Sequence, residues 1–145
     1  MTERTEVRWN FTRYGSASIQ SYPTPFEYNA TLFNVGGGTY TDYKYTIPLD
    51  GTYMIGYSCF NGAQDDCQYQ FYLERNSVIS SIDLVRIIGT STGRSLSKVM
   101  FYNFLQGDII YPAKTGGGNI RYNNPSYNPT NPDVYNSWWG IRLDY

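Results

Sequence analysis

No stretch of this chain sustains the three- and four-residue apolar spacing of an amphipathic helix. Apolar residues come in short runs that alternate with polar residues, each bounded by Gly, Asn, Pro or Asp. Alternation of period two sends successive side chains to opposite faces, which is the mark of a half-buried β-strand. Residues 52–60 show it best: Tyr53, Ile55 and Tyr57 fall on one face, Met54 and Gly56 on the other. Strands are expected over residues 6–14, 27–35, 43–48, 68–75, 95–105 and 136–143. One or two more belong to 78–88, and another begins at 109–111. The breaks carry turn chemistry. Gly36-Gly37-Gly38 can take positive φ, Leu49-Asp50-Gly51 and Gln106-Gly107-Asp108 read as turns, and Arg75-Asn76-Ser77 closes a tight one. About eight to ten antiparallel strands at this spacing predict an all-β chain, a sandwich or jelly roll.

A chain of 145 residues supports one domain, 1–145, with a single core. Residues 1–25 serve in this reading as a first strand and a linker, since 16–25 are small, polar and marked by proline. Aromatic residues make up 18% of the chain, and 16 of them are tyrosines. A tyrosine suits a strand and a contact surface equally, so composition alone leaves both roles open. Net charge is −1 and the lysines and arginines are scattered, which argues against a nucleic-acid or anionic-membrane partner. Apolar stretches are too short for a transmembrane helix. The polar start Met1-Thr2-Glu3-Arg4-Thr5-Glu6 does not read as a signal peptide. The chain is then exported by another route, is a trimmed piece, or works inside cells or on a particle assembled there.

The absence of histidine excludes Ser-His-Asp and Cys-His catalysis, and no phosphate-binding or dinucleotide loop occurs. Glu27, Glu74, Asp83 and Asp108 are the conceivable partners for glycoside hydrolysis, yet no spacing selects a pair. No catalytic residue is assigned, and no enzyme is expected. Cys59 and Cys67 flank a segment that reads as a hairpin loop; they are either joined as a disulfide or two free thiols, and they do not make a zinc site. Asn10-Phe11-Thr12 and Asn29-Ala30-Thr31 fit the glycosylation pattern, which matters only in a secreted chain. Residues 112–135 stand apart. They hold Gly116-Gly117-Gly118 and three Asn-Pro steps, so a long exposed loop is expected, with a short strand at 120–122. Tyr122, Tyr127 and Tyr135 with Asn124 and Asn128 form the candidate ligand-binding set, rigid aromatic anchors on a proline-stiffened loop. The other reading of that loop is subunit packing or plain solvation.

Short landmarks recur in order from Phe33 to Leu143. They are Phe33-Asn34, Gly37-Gly38-x-Tyr40, Tyr45-x-x-Pro48-x-x-Gly51-x-Tyr53, Tyr72-Leu73-x-x-Asn76, Phe104-x-x-Gly107-Asp108-x-Ile110 and Trp138-x-Gly140-Ile141-x-Leu143. Together they resemble the globular head of the complement C1q family, in the C1q/tumour-necrosis-factor superfamily. The resemblance implies a jelly-roll β-sandwich that forms tight homotrimers and binds other molecules. The aromatic set Tyr53, Tyr57, Phe101 and Trp138 is expected to pack in the core or at the three-fold axis. Gly140 is expected to mark close approach by a neighbour, and Asp108 to bond to local backbone amides. Three departures stand out: no collagen-like repeat, Trp139 where the family has a small residue, and the Asn-Pro loop. Some relatives bind calcium near the trimer axis, for which Asp65-Asp66 is the nearest candidate; otherwise no metal or cofactor is expected. Jelly-roll trimers serve as capsid, spike and fibre-head modules. The expected role is therefore a virion-surface subunit that binds capsid protein, a host receptor or a glycan. The alternative is an extracellular C1q-like recognition module for carbohydrate or protein ligands.

Overall fold

The computed structural model describes residues 5–12, 18–19, 25–61, 67–87, 94–117, 120–121 and 137–144. Their alternating runs form strands joined into two five-stranded antiparallel sheets. The first sheet holds, in spatial order, β3 (Ala30–Val35), β1 (Arg8–Thr12), β12 (Ser137–Arg142), β6 (Gly51–Asn61) and β9 (Arg94–Phe104). The second holds β4 (Thr39–Thr41), β5 (Lys44–Thr46), β10 (Ile109–Gly117), β7 (Cys67–Arg75) and β8 (Val78–Ile87). A further pair, β2 (Ser18–Ile19) with β11 (Ile120–Arg121), stands outside both. Past β5 the chain crosses repeatedly from sheet to sheet, which is the jelly-roll pattern. The exception is the β7–β8 hairpin, whose tight turn sets Asn76 and Ser77 at φ 51° and 63°.

Two expectations are corrected by this topology. The segment between Cys59 and Cys67 is not a hairpin. Cys59 on β6 pairs with Leu96 of β9, while Cys67 on β7 pairs with Ile87 and Gly117 in the other sheet. Each strand already has its neighbours, so the connection is a crossover between layers. Nor does the long loop begin at Pro112. Pro112 lies inside β10, paired with Phe71. On its other side the ladder with β5 ends at Ile110, and there the Pro112 carbonyl accepts from Phe26 N–H at 2.9 Å. A proline fits where no donor is required.

The core lies between the sheets and is built from aromatic rings. Trp9 and Phe11 of β1, Tyr53, Ile55 and Tyr57 of β6, and Trp138 of β12 meet Tyr45, Phe71, Leu73 and Ile110 from the facing sheet. Trp9 stacks on Tyr45 with centroids 4.0 Å apart, and Phe11 on Tyr40 at 3.8 Å. Many of the tyrosines are thus core residues, and three of their hydroxyls find backbone acceptors. Tyr28 donates to Ser58 O at 3.0 Å, Tyr40 to Tyr28 O at 3.1 Å and Tyr53 to Leu49 O at 2.8 Å. Gly140 faces the Trp9 ring so closely that a Cβ there would overlap it.

Burial pushes the Tyr53 phenol up to about 12, against the pull of Arg142 and of its bond to Leu49, and pushes Tyr40 and Tyr45 up further. The fold thus keeps these phenols neutral where the unfolded chain ionises them. Their contribution is fully present below about pH 10, the ordinary phenol value, and is lost as pH rises through the folded values. Urea unfolding midpoints should therefore fall steeply between pH 10 and 12, and Tyr53→Phe should flatten the first part of that fall. A midpoint independent of alkaline pH would contradict this burial.

Candidate assembly interface

The outer face of the first sheet is apolar as well. Residues directly opposite on antiparallel strands share a face, so cross-strand pairing reveals its rows. One row runs Val35, Arg8, Ile141, Met54, Phe101; the next runs Phe33, Asn10, Trp139, Gly56, Val99. Phe101 is 63% exposed and Val99 50%. Phe33 and Val35 are exposed too, as is Leu32 beside them. Trp139 lies flat over Gly56, where any Cβ would strike its ring. Arg8 sits within the first row, its guanidinium 4.8 Å from the Phe33 centroid and its Nε 2.6 Å from Glu6 Oε1.

One side of the sandwich is bounded by β9 and β8, the last strands of their sheets. Lys98 of β9 reaches Asp83 of β8 with Nζ 3.4 Å from Oδ2 and so ties this margin together. Beside it, Thr52, Phe101, Tyr102 and Asn103 line an open cleft, across which Thr52 Oγ1 donates to Asn103 Oδ1 at 2.7 Å.

The remaining candidates fall as follows. Tyr53, Tyr57, Trp138 and Gly140 are buried between the sheets, whereas Phe101 points out of the fold. Of the two places expected for Phe101, the core is therefore overturned. Asp108 accepts from Leu105 N–H at 2.8 Å, a local bond of the expected kind. It also takes a two-pronged bond from Arg75, Nε and Nη2 lying 2.8 and 2.6 Å from its oxygens, a partner that no local pattern announces. That bond holds the Arg75 pKa above its ordinary value. The Asp108 side chain is 2% exposed and Arg75 35%. Arg75→Met should cost about 3 kcal/mol, the low end for a broken buried pair because the arginine is partly solvated. Asp108→Asn in the same chain should recover part of that in urea unfolding, and an Arg75→Met loss below about 0.5 kcal/mol would show the pair to be idle.

Glu74 is held by Lys44 at 2.6 Å and by the Tyr111 hydroxyl at 3.2 Å. Glu74, Asp83 and Asp108 thus each face a cation, the arrangement of structural ion pairs rather than an acid–base couple. Among the described residues no three of His, Cys, Asp and Glu gather as a metal site, and no helix is long and apolar enough to cross a membrane. Tyr122, Asn124, Tyr127, Asn128 and Tyr135 lie outside the described residues, as do Asp65 and Asp66.

The sequence reading missed Phe33, Val35, Val99, Trp139 and Ile141 as surface residues. A signal was present. Residues 99–102 and 138–141 are apolar at both parities, as in strands covered on both faces.

Two five-stranded sheets in this order, joined by these crossovers, make a C1q/TNF-type jelly roll. The chain overlays on Eiger TNF from S. frugiperda with a TM-score of 0.75 at 10% identity, covering 97% of this chain and 94% of that one. Murine APRIL matches at 0.71 and 11%, covering 95% and 99%. The globular domain of zebrafish complement 1qA matches at 0.69 and 12%, covering 96% and 98%. No protein-family model matches the sequence, and no curated protein does.

Proposed function

We propose that this protein is a non-enzymatic homotrimeric surface module, whose outer apolar sheet face packs against further copies of the chain. That exposed face carries the reading. Contiguous apolar surface of this kind, set among polar residues, marks an interaction site rather than a solvated wall. The trimer would present its loops to a partner. We favour a virion-surface subunit that binds capsid protein, a host receptor or a glycan, because jelly rolls of this type build capsids and fibre heads and need no chemistry of their own. The likeness to animal TNF and complement heads favours the second reading, an extracellular recognition module for carbohydrate or protein ligands.

Absolute mass by light scattering on a sizing column tests the assembly. Three times 16.7 kDa supports it, and a fall in mass with EDTA would add a structural calcium. Phe101→Glu should shift the species to a monomer that still unfolds cooperatively, its melting temperature lowered only by the lost assembly, since its side chain is outside the core. A trimer unaffected by Phe101→Glu would place the contact elsewhere. Co-sedimentation with particles from the native source would favour the virion reading, and recovery only in the extracellular fluid the second.

A further inference from the structure

Two charged groups on this surface lack a hydrogen bond that their burial calls for. Arg8 Nε and Asp83 Oδ2 are both shut off from solvent with no hydrogen-bonding partner. Each has a charge nearby, Glu6 for Arg8 and Lys98 for Asp83, but neither contact has hydrogen-bond geometry. The Arg8 and Asp83 side chains are themselves 42% and 21% exposed, so what is lost is one hydrogen bond at each shut-off atom, and a better-aligned partner recovers it. The two groups are opposite in sign and sit on different parts of the surface. Arg8 lies within the apolar rows of the outer face, between Val35 and Ile141. Asp83 lies on the β8 side of the margin, tied by Lys98 to the strand that carries Val99 and Phe101. Each surface thus carries a poorly aligned ion pair, Arg8 with Glu6 and Asp83 with Lys98, and Arg8 and Asp83 are complementary in charge once those partners are exchanged.

We propose that Arg8 of one copy and Asp83 of the next form an ion pair across the subunit contact and set its register. This rests on the reading of the apolar face as a self-assembly surface. Contact between copies exchanges two intrachain pairs for one hydrogen-bonded pair between chains. Glu6 and Lys98, whose side chains are 55% and 36% exposed, keep their water. The need for such a device follows from the rows themselves. Apolar contact is non-directional, so a margin bearing Val99 and Phe101 can slide along Phe33, Trp139 and Ile141 at little cost. A charge that must meet its partner penalises every other seating. Because face and margin are different surfaces, the contact is head-to-tail, the kind that a closed ring of three copies requires.

Charge exchange tests this. Arg8→Glu and Asp83→Lys are made singly and together, and mass is followed over a dilution series, with melting temperature as the control for folding. Each single reversal should raise the dissociation midpoint at least about tenfold, and the double variant should return to within about threefold of the parent. Should a reversal fail to fold, Arg8→Met and Asp83→Asn replace it, each expected to weaken assembly and, combined, to cost less than the sum of the two. A parent chain monomeric at every concentration overturns both this pair and the assembly reading. An oligomeric parent with neither loss on single reversal nor rescue in the double overturns the pair alone.

Discussion

Trp138→Ala should lower the unfolding free energy by about 3–5 kcal/mol, the range for emptying a large aromatic site in a core. Trp138 is wholly buried on β12, the middle strand of its sheet. Its ring lies 5.6 Å from Phe11 and from Tyr40, 6.1 Å from Trp9, 6.2 Å from Tyr45 and 6.5 Å from Tyr28. These neighbours come from both sheets and from the segment before β3, so no single element can shift to fill the hole. The indole N–H has no partner in the fold, so its loss leaves no acceptor stranded. The whole cost is therefore packing, and Trp138→Phe should cost far less. A domain of this size has about 5–15 kcal/mol in hand, so the alanine variant should be marginal and assemble poorly. Urea unfolding decides it: a loss under about 1 kcal/mol would mean that the ring is not the centre of the core.

Gly140→Ala should cost about 3 kcal/mol, at the upper end for overpacking. The added methyl would overlap the six-membered ring of Trp9. Trp9 cannot yield, because Tyr45 stacks on it from the opposite sheet with centroids 4.0 Å apart. Gly140 itself pairs with Trp9 on one side and Ile55 on the other, so its backbone is held in mid-sheet. Shortening the ring should relieve the clash. In a double-mutant cycle with Trp9→Phe, the two changes should couple favourably by at least about 1 kcal/mol. Additive losses would show that the methyl is accommodated in some other way.

Much of this fold is legible in the sequence, because strands and turns are local. The alternation at residues 52–60 states which side chains of β6 go inward, and Tyr53, Ile55 and Tyr57 do. Gly36, Gly37 and Gly107 stand where positive φ is required, at 96°, 87° and 89°. Gly140 stands where a ring comes close. The site was less legible. Phe101 reads as a core residue by its type, but it shares a strand with Met100 and Tyr102, which pack against the core from the other parity. When both parities are apolar, alternation no longer says which face is inside.

What the sequence determined by itself is thus the period of the chain, its turns, and the small residues that let rings approach. These follow from the covalent geometry of a pleated backbone and need no distant partner. The tertiary structure decided which sheet each strand joins. It made the stretch between Cys59 and Cys67 a crossover and drew Pro112 into β10. It brought Arg75 to Asp108, 33 residues away, and turned one of two apolar faces outward. Those choices rest on pairing and packing between residues far apart in the chain. A side chain's own chemistry does not specify such partners; only closure of the whole sandwich does.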